Sequence, residues 1–262
     1  MADPQIRFPD GAAYGRMMGG WSPLVGNIFL DWLAPPQGLR WIDVGCGNGA
    51  FTALLVERCA PAEIQAIDPS EGQLAFARNQ PAARVAHFSQ GDALSLAFPD
   101  DRFDAAVMAL VIFFVPDPAK SVAEMARVVR PGGTVAAYAW DVLGGGSPLE
   151  PIQAEMRALG VDSPLPPNAG ASRMVALREM WAGAGIDGVE TREIAVQRTF
   201  ADFDDFWTTS RLASTIGSAI AAMASADLER LKTRLRQRLP PDEAGRITYG
   251  ARANAIKGRM PA

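Results

Sequence analysis

Gly45, Gly47 and Gly49 stand at alternate positions in the run Asp43-Val44-Gly45-Cys46-Gly47-Asn48-Gly49-Ala50. Glycines so spaced let a chain turn tightly and let a ligand approach the backbone with no Cβ in the way. A helix starting just beyond would add its unpaired N–H groups. Gly45, Gly47 and Ala50 also satisfy the G-x-G-x-x-G/A dinucleotide fingerprint, so the turn by itself admits a nicotinamide-dependent oxidoreductase. Three carboxylates bear on the choice. Asp43, two residues before Gly45, suits an ammonium group and would repel a pyrophosphate. Asp68, 23 residues after Gly45, has two oxygens to accept from both hydroxyls of a ribose, at about 1.5–3 kcal/mol per charge-assisted bond. Dinucleotide enzymes share that feature, so it points to a nucleoside without choosing one. Asp92, in Gly91-Asp92-Ala93, is placed to accept from an adenine amino group.

Such residues need strand ends to hold them at one rim. LRWIDVG reads as a short buried parallel strand ending at the glycines, with a helix over residues 50–59. EIQAID is a second strand and 70–79 a second helix; VAHFS is a third strand and FDAAVMAL a fourth, with a helix over 118–129 after it. RPGG reads as a turn and TVAAYAW as a fifth strand. This alternation predicts right-handed crossovers and a parallel sheet with helices on both faces. Upstream, residues 22–33 read as a helix with Ser22 as N-cap and Pro23 at its first position. The rhythm breaks at Gly144-Gly145-Gly146, and 144–170 suggests loop with one short helix. A helix over 172–184 and a strand over 189–199 resume the core; 201–238 looks helical, and ITYGARANAIKG is a last strand.

Four blocks in order, WIDVGCGNGAFT, AIDPSEGQLAFAR, GDALSLAFPDDRFDAAVMA and PDPAKSVAEMARVVRPGG, resemble the class I S-adenosylmethionine (SAM)-dependent methyltransferases of the ubiquinone/menaquinone-biosynthesis type, methyltransferase type 11. The resemblance covers about residues 12–141. It implies a Rossmann-like α/β fold: a seven-stranded, mostly parallel sheet with helices on both faces and SAM along the C-terminal strand edges; outside the shared core, a helical lid from the C-terminal half is expected. It implies that Asp43, Gly45, Gly47 and Gly49 face the methionine part, joined by the backbone at Ala109 and Leu110, with Cys46 and Asn48 of the same loop also at the cofactor. Asp68, Pro69 and Ser70 would face the ribose, and Asp92 and Ala93 the adenine. Gln73 stands where many relatives have a Met packed on adenine, an amide in place of an apolar contact. Tyr14-Gly15-Arg16-Met17-Met18-Gly19-Gly20-Trp21-Ser22 also resembles a segment that covers the cofactor, with Tyr14 and Trp21 as its aromatics. Trp21 has two readings: attraction to a sulfonium through its ring face, or a staple of the first helix to the sheet. The division expected is a helical cover over 1–35, a SAM-binding core over 36–141, and 142–262 with the remaining strands and lid insertions at 142–170 and 201–238.

Methyl transfer is an in-line displacement, for which alignment supplies roughly 7–11 kcal/mol, and a base is needed only where the acceptor must first lose a proton. No residue stands out as that base, so none is assigned as catalytic. The acceptor is expected to be a small hydrophobic or aromatic molecule, with Phe113, Phe114, Trp140, Phe203 and Trp207 as candidate pocket residues. Phe203 and Trp207 have helical spacing, which also suits core packing. His87 falls inside the third strand and Cys46 has no base nearby in sequence, so both read as structural. A SAM-binding protein without catalysis and an RNA methyltransferase remain alternative readings.

The composition bounds these readings. A chain of 262 residues, 48% hydrophobic, holds one large α/β domain. No apolar run spans a bilayer and the N-terminal residues lack a signal-peptide layout, so a cytoplasmic location is expected. Cys46 and Cys59 match no metal-ligand spacing, and no metal is expected. The net charge of −4 argues against a nucleic-acid partner, although residues 228–262 hold nine Lys/Arg against three Asp/Glu. Leu228, Leu231, Leu235 and Leu239 recur there at helical spacing, which predicts an amphipathic helix with a solvated basic face.

Overall fold

A computed structural model describes Gly15 and residues 17–262; Tyr14 lies outside the described residues. Helix α1 (Ser22–Leu33) has Pro23 in its first turn, and Trp21, not Ser22, occupies the cap position. Then come β1 (Arg40–Val44), α2 (Ala50–Cys59), β2 (Glu63–Asp68), α3 (Glu71–Ala77), β3 (Ala86–Gln90) and β4 (Phe103–Ala109). The second half runs through α4 (Pro118–Val128), β5 (Val129–Trp140), α5 (Glu150–Ala158), α6 (Met174–Gly183), β6 (Asp187–Phe200), α7 (Phe203–Ser210), α8 (Ser214–Ala221), α9 (Ser225–Arg238) and β7 (Ile247–Arg259). The strands form one seven-stranded sheet in the order β3-β2-β1-β4-β5-β7-β6. Parallel pairing holds from β3 to β5, and β7 runs antiparallel to both β5 and β6. This is the Rossmann-like, mostly parallel sheet with helices on both faces. The chain reverses direction across the sheet between β1 and β4. That reversal opens a crevice beyond the strands' C-terminal ends, where ligands of such sheets bind.

The central strands are buried on both faces: Trp41, Ile42, Val44, Ala105, Ala106, Val107 and Met108 are fully enclosed, which explains their continuous apolar run. At the opposite, N-terminal end of the strands, Asp104 accepts from the Arg40 backbone N–H and from the guanidinium groups of Arg40 and Arg130. These bonds hold its carboxyl well below the usual range.

RPGG is not a turn between α4 and a separate strand. Val129 already pairs with Phe103, and the next pair in register is Ala105 with Thr134. The extra residues form a bulge inside β5, bent at Gly132 with φ of 72°. The chain's far end closes the bulge: Gly132 N–H donates to Met260 O and Met260 N–H to Gly133 O.

The basic run lies on α9 as the leucine spacing requires, with Leu231 and Leu235 buried. Its charges are largely engaged. Arg234 and Arg238 both pair with Glu155 of α5, Lys232 pairs with Glu229 and Arg230 with Asp227. Arg236 lies over the Phe203 ring at 4.1 Å. Among the described residues no helix is long and apolar enough to cross a membrane.

Candidate functional site

Asp43 is the fourth residue of β1, fully buried between β2 and β4. Its Oδ2 accepts from Thr52 Oγ1 at 2.6 Å, so the first turn of α2 grips one oxygen. The other, Oδ1, is buried with no partner among the described residues. Burial pushes this carboxyl up to about 7, against the Thr52 bond, and the neighbouring Asp68 charge adds to the rise. Asp43 therefore sits beneath the glycine turn, not open on its rim.

The turn above is stitched from within. Gly45 and Cys46 N–H both donate to Ile67 O, Gly49 N–H to Cys46 O, and Gly47 N–H to Asp68 Oδ2 at 2.9 Å. The glycines divide the work. A Cβ on Gly45 would lie 2.5 Å from Val111 Cγ1, so Gly45 is small to let the segment after β4 close in. A Cβ on Gly47 would meet nothing nearer than Gln73 Oε1 at 3.9 Å. Gly47 thus faces open space, and both take positive φ, 78° and 53°, which favours glycine. Asn48 turns its Oδ1 onto Ala50 N–H. Cys46 is buried, and burial raises its thiol well above the ordinary value. A thiolate nucleophile is thereby disfavoured.

Asp68 ends β2 and is 9% exposed. One oxygen accepts from Gly47 N–H and the other from Ser70 N–H at 2.8 Å. Burial raises its carboxyl, opposed by those two N–H groups. Each oxygen keeps a lone pair for a further donor. Pro69 is exposed, Ser70 caps α3, and Gln73 is buried in the first turn of that helix. Asp92 is exposed at the same sheet edge, its Oδ1 accepting from Leu94 N–H, and Ala93 beside it is half-buried. Gly91 N–H donates to Asp68 O, which ties the two aspartates' segments together. Ala109 is half-buried at the end of β4. Leu110 follows it buried at a φ of 63°, a left-handed conformation that costs a non-glycine roughly 1–2 kcal/mol. His87, by contrast, is exposed on β3, at the sheet's edge.

Leu110 is shared between this rim and a cavity of about 580 Å3 counted out to solvent. Phe113, Phe114 and Trp140 line that cavity, as do Met17 and Met18 from the segment before α1. The third wall is the segment from Val142 to Gln153, inside the 142–170 stretch expected as a lid insertion, though sequence reasoning named none of its lining residues. Gln153 gives no local signal: only the fold shows that this amide is buried. Phe203 and Trp207 are not in the lining. Their rings stack on each other at an interplanar angle of 8°, with Arg236 over Phe203 and Lys232 over Trp207. The cations of α9 cover these rings, so they pack between helices.

Trp21 is 2% exposed and lies against Trp140, Phe200 and Tyr249. This is the staple of its two readings, set between α1 and the β5-β7-β6 edge. Arg198 of β6 completes the attachment: its Nη1 donates to Met17 O at 3.0 Å and its guanidinium lies over Phe200 at 4.2 Å. A Cβ on Gly20 would fall 2.4 Å from the Arg198 Cζ. Arg198→Ala is expected to free the segment before Ser22. Limited proteolysis should show cleavage there at least about fivefold faster, the equivalent of roughly 1 kcal/mol of local stability. Unchanged cleavage would mean that Trp21 alone holds the segment.

Among the described residues no cluster of His, Cys, Asp and Glu could hold a metal ion.

Residues 42–137 match the family model described as a methyltransferase domain. The chain is 41% identical over 95 residues to 2-methyl-6-phytyl-1,4-hydroquinone methyltransferase 2 of Oryza sativa subsp. japonica, covering 36% of this chain and 27% of that protein. It is 31% identical over 155 residues to 2-phytyl-1,4-naphtoquinone methyltransferase of Synechococcus elongatus, covering 57% of this chain and 64% of that one. The chain thus matches less than two thirds of the length of either relative. In fold it is similar to phosphoethanolamine N-methyltransferase 2 of Haemonchus contortus, solved with S-adenosyl-L-methionine, at a TM-score of 0.60 and 17% identity, covering 96% of this chain and 57% of that one.

Proposed function

We propose, from the premise that residues 42–137 are a methyltransferase domain of this family, that the chain uses SAM to methylate a neutral, largely apolar small molecule. The observation that carries the cofactor is the unpartnered, buried Oδ1 of Asp43 beneath a turn whose Gly47 faces open space. A buried acceptor of that kind is costly unless a donor or a positive charge satisfies it. Asp68 adds a second carboxylate at the same rim, with lone pairs left for ribose hydroxyls. The pair suits a cationic nucleoside. It does not suit a pyrophosphate, which would meet two carboxylates and a turn whose Gly45, Cys46, Gly47 and Gly49 N–H groups already have partners. That argues against the nicotinamide reading despite the glycine spacing.

When bound, SAM supplies a methyl group made electrophilic by a positively charged sulfur. The residues of this chain would do the rest by holding and excluding. Asp43 would act from beneath the turn as a charge. Asp68 and Ser70 would hold the ribose, and Asp92 with Ala93 the adenine edge. Ala109 and Leu110 would border the methionine part, with Leu110 marking where the cofactor site meets the cavity. Among the described residues the cavity lining contains no carboxylate, His or Lys, and we infer an acceptor that is already nucleophilic or that loses its proton to water. Phe113, Phe114 and Trp140 favour a flat, apolar acceptor, in keeping with the quinone-type acceptors in the relatives' names. Met17 and Met18 would close the water side, held there by the Trp21 staple.

Titration calorimetry should show SAM binding and no comparable NAD binding, and a panel of ring-bearing acceptors should include one that yields S-adenosylhomocysteine. Preferential NAD binding would overturn the cofactor assignment. SAM binding without product across the panel would leave a binding protein in place of an enzyme.

A further inference from the structure

The cavity wall is mostly apolar, and among its described residues Gln153 carries the one side-chain amide. Gln153 lies on α5, 3% exposed, in the cavity lining. Its backbone N–H is spent on Leu149 O, and its carboxamide makes no hydrogen bond with any described residue. Its amide group therefore borders the cavity with its donor and acceptor capacity free for a ligand. The other polar side chains of the lining are Ser147, whose Oγ accepts from Leu149 N–H, and Trp140, whose buried indole N–H has no partner among the described residues.

Gln153 is also held in place. Two residues on, Glu155 takes Arg234 and Arg238, at 2.6 and 3.1 Å, which fastens α5 to α9. The segment leading into α5 is fixed by Arg252, which donates to Asp141 Oδ2 at 2.6 Å and to Gly144 O, and by Tyr249 Oη donating to Pro148 O. The helix therefore cannot roll the amide out to solvent without breaking these bonds. A fixed amide able both to donate and to accept, in a wall with no charged group among the described residues, suits one kind of ligand atom: an oxygen on a neutral molecule.

We propose that Gln153 is the polar anchor of the acceptor pocket, hydrogen-bonding a hydroxyl or carbonyl oxygen of a neutral ring compound and so setting which position faces the cofactor. This rests on the reading of the cavity as the methyl-acceptor site. Equilibrium dialysis with 2-naphthol and with naphthalene, which differ by one oxygen, tests it, with and without S-adenosylhomocysteine present. The wild-type protein should bind naphthol about two- to tenfold more tightly than naphthalene, the range of one neutral hydrogen bond. Gln153→Met, which keeps the side chain's length, should reduce the preference to below about twofold by weakening naphthol alone. Its affinity for SAM should stay unchanged, which also shows that it folds. An equal wild-type affinity for the two probes, binding of neither, or a preference that survives in Gln153→Met would each overturn the proposal. The comparison without cofactor separates this outcome from a failure of the SAM assignment, which calorimetry with SAM alone would reveal.

Discussion

Asp43→Asn is expected to weaken SAM binding by about ten- to hundredfold at pH 8 while making the cofactor-free protein more stable. The first effect follows from losing the charge beneath the turn, worth about 1.5–3 kcal/mol where a charge-assisted contact is lost. The second follows from burial. Asp43 is raised from its ordinary 3.8 to about 7 in the folded chain. The folded state thus holds a proton that the unfolded chain releases. The stability linked to that proton is complete below about 3.8 and is lost as pH rises through about 7, a loss of order 4 kcal/mol once ionisation is complete. Asparagine never ionises, so it escapes this loss, less the cost of its own unpaired amide. Thermal unfolding should show the variant ahead by a few degrees at pH 8, with the advantage shrinking by about 2–3 kcal/mol on going to pH 5. SAM affinity should fall about tenfold for each unit below about pH 6 in the wild type and stay level in the variant. A pH-independent difference in stability would show that Asp43 is ionised throughout. An unchanged dissociation constant would remove it from the cofactor site.

The second large effect is expected at Asp68. Asp68→Ala removes the acceptor for Gly47 N–H and for Ser70 N–H at once, so the glycine turn and the start of α3 lose their shared tether. SAM binding should weaken at least about tenfold from the lost charge-assisted bonds, and stability should drop by roughly 1–3 kcal/mol because two N–H groups are left unmatched. The two aspartates can be told apart with adenosine, which carries the ribose and adenine but no ammonium group. Calorimetry should show Asp68→Ala weakening adenosine and SAM together, and Asp43→Asn weakening SAM while sparing adenosine. Adenosine bound equally by wild type and Asp68→Ala would place the ribose elsewhere.

Much of the scaffold could be read from residue order. EIQAID is β2 residue for residue, and the helix over 50–59 has the bounds expected. Buried parallel strands are continuous apolar runs ended by glycine, and their connecting helices carry their own periodicity, so both signals are local. The glycine turn, Asp43, Asp68 and Asp92 were legible for the same reason: each sits where a strand stops. What pairs with what was not legible. RPGG has every mark of a turn, yet it extends β5 because Met260, from the other end of the chain, supplies its hydrogen bonds.

The amino-acid order by itself determined the sheet's succession of strands and the residues at their C-terminal ends, because both depend on neighbours within a few positions. Only the tertiary structure decided which aromatics face the cavity and which are covered. Phe203 and Trp207 are covered by the cations of α9, while Phe113, Phe114 and Trp140 remain as wall. It decided that Gly45 makes room for Val111 while Gly47 stays open, and that Gln153 is an enclosed amide and not a solvated one. Burial and close approach arise from segments far apart in the chain, and no local pattern encodes them.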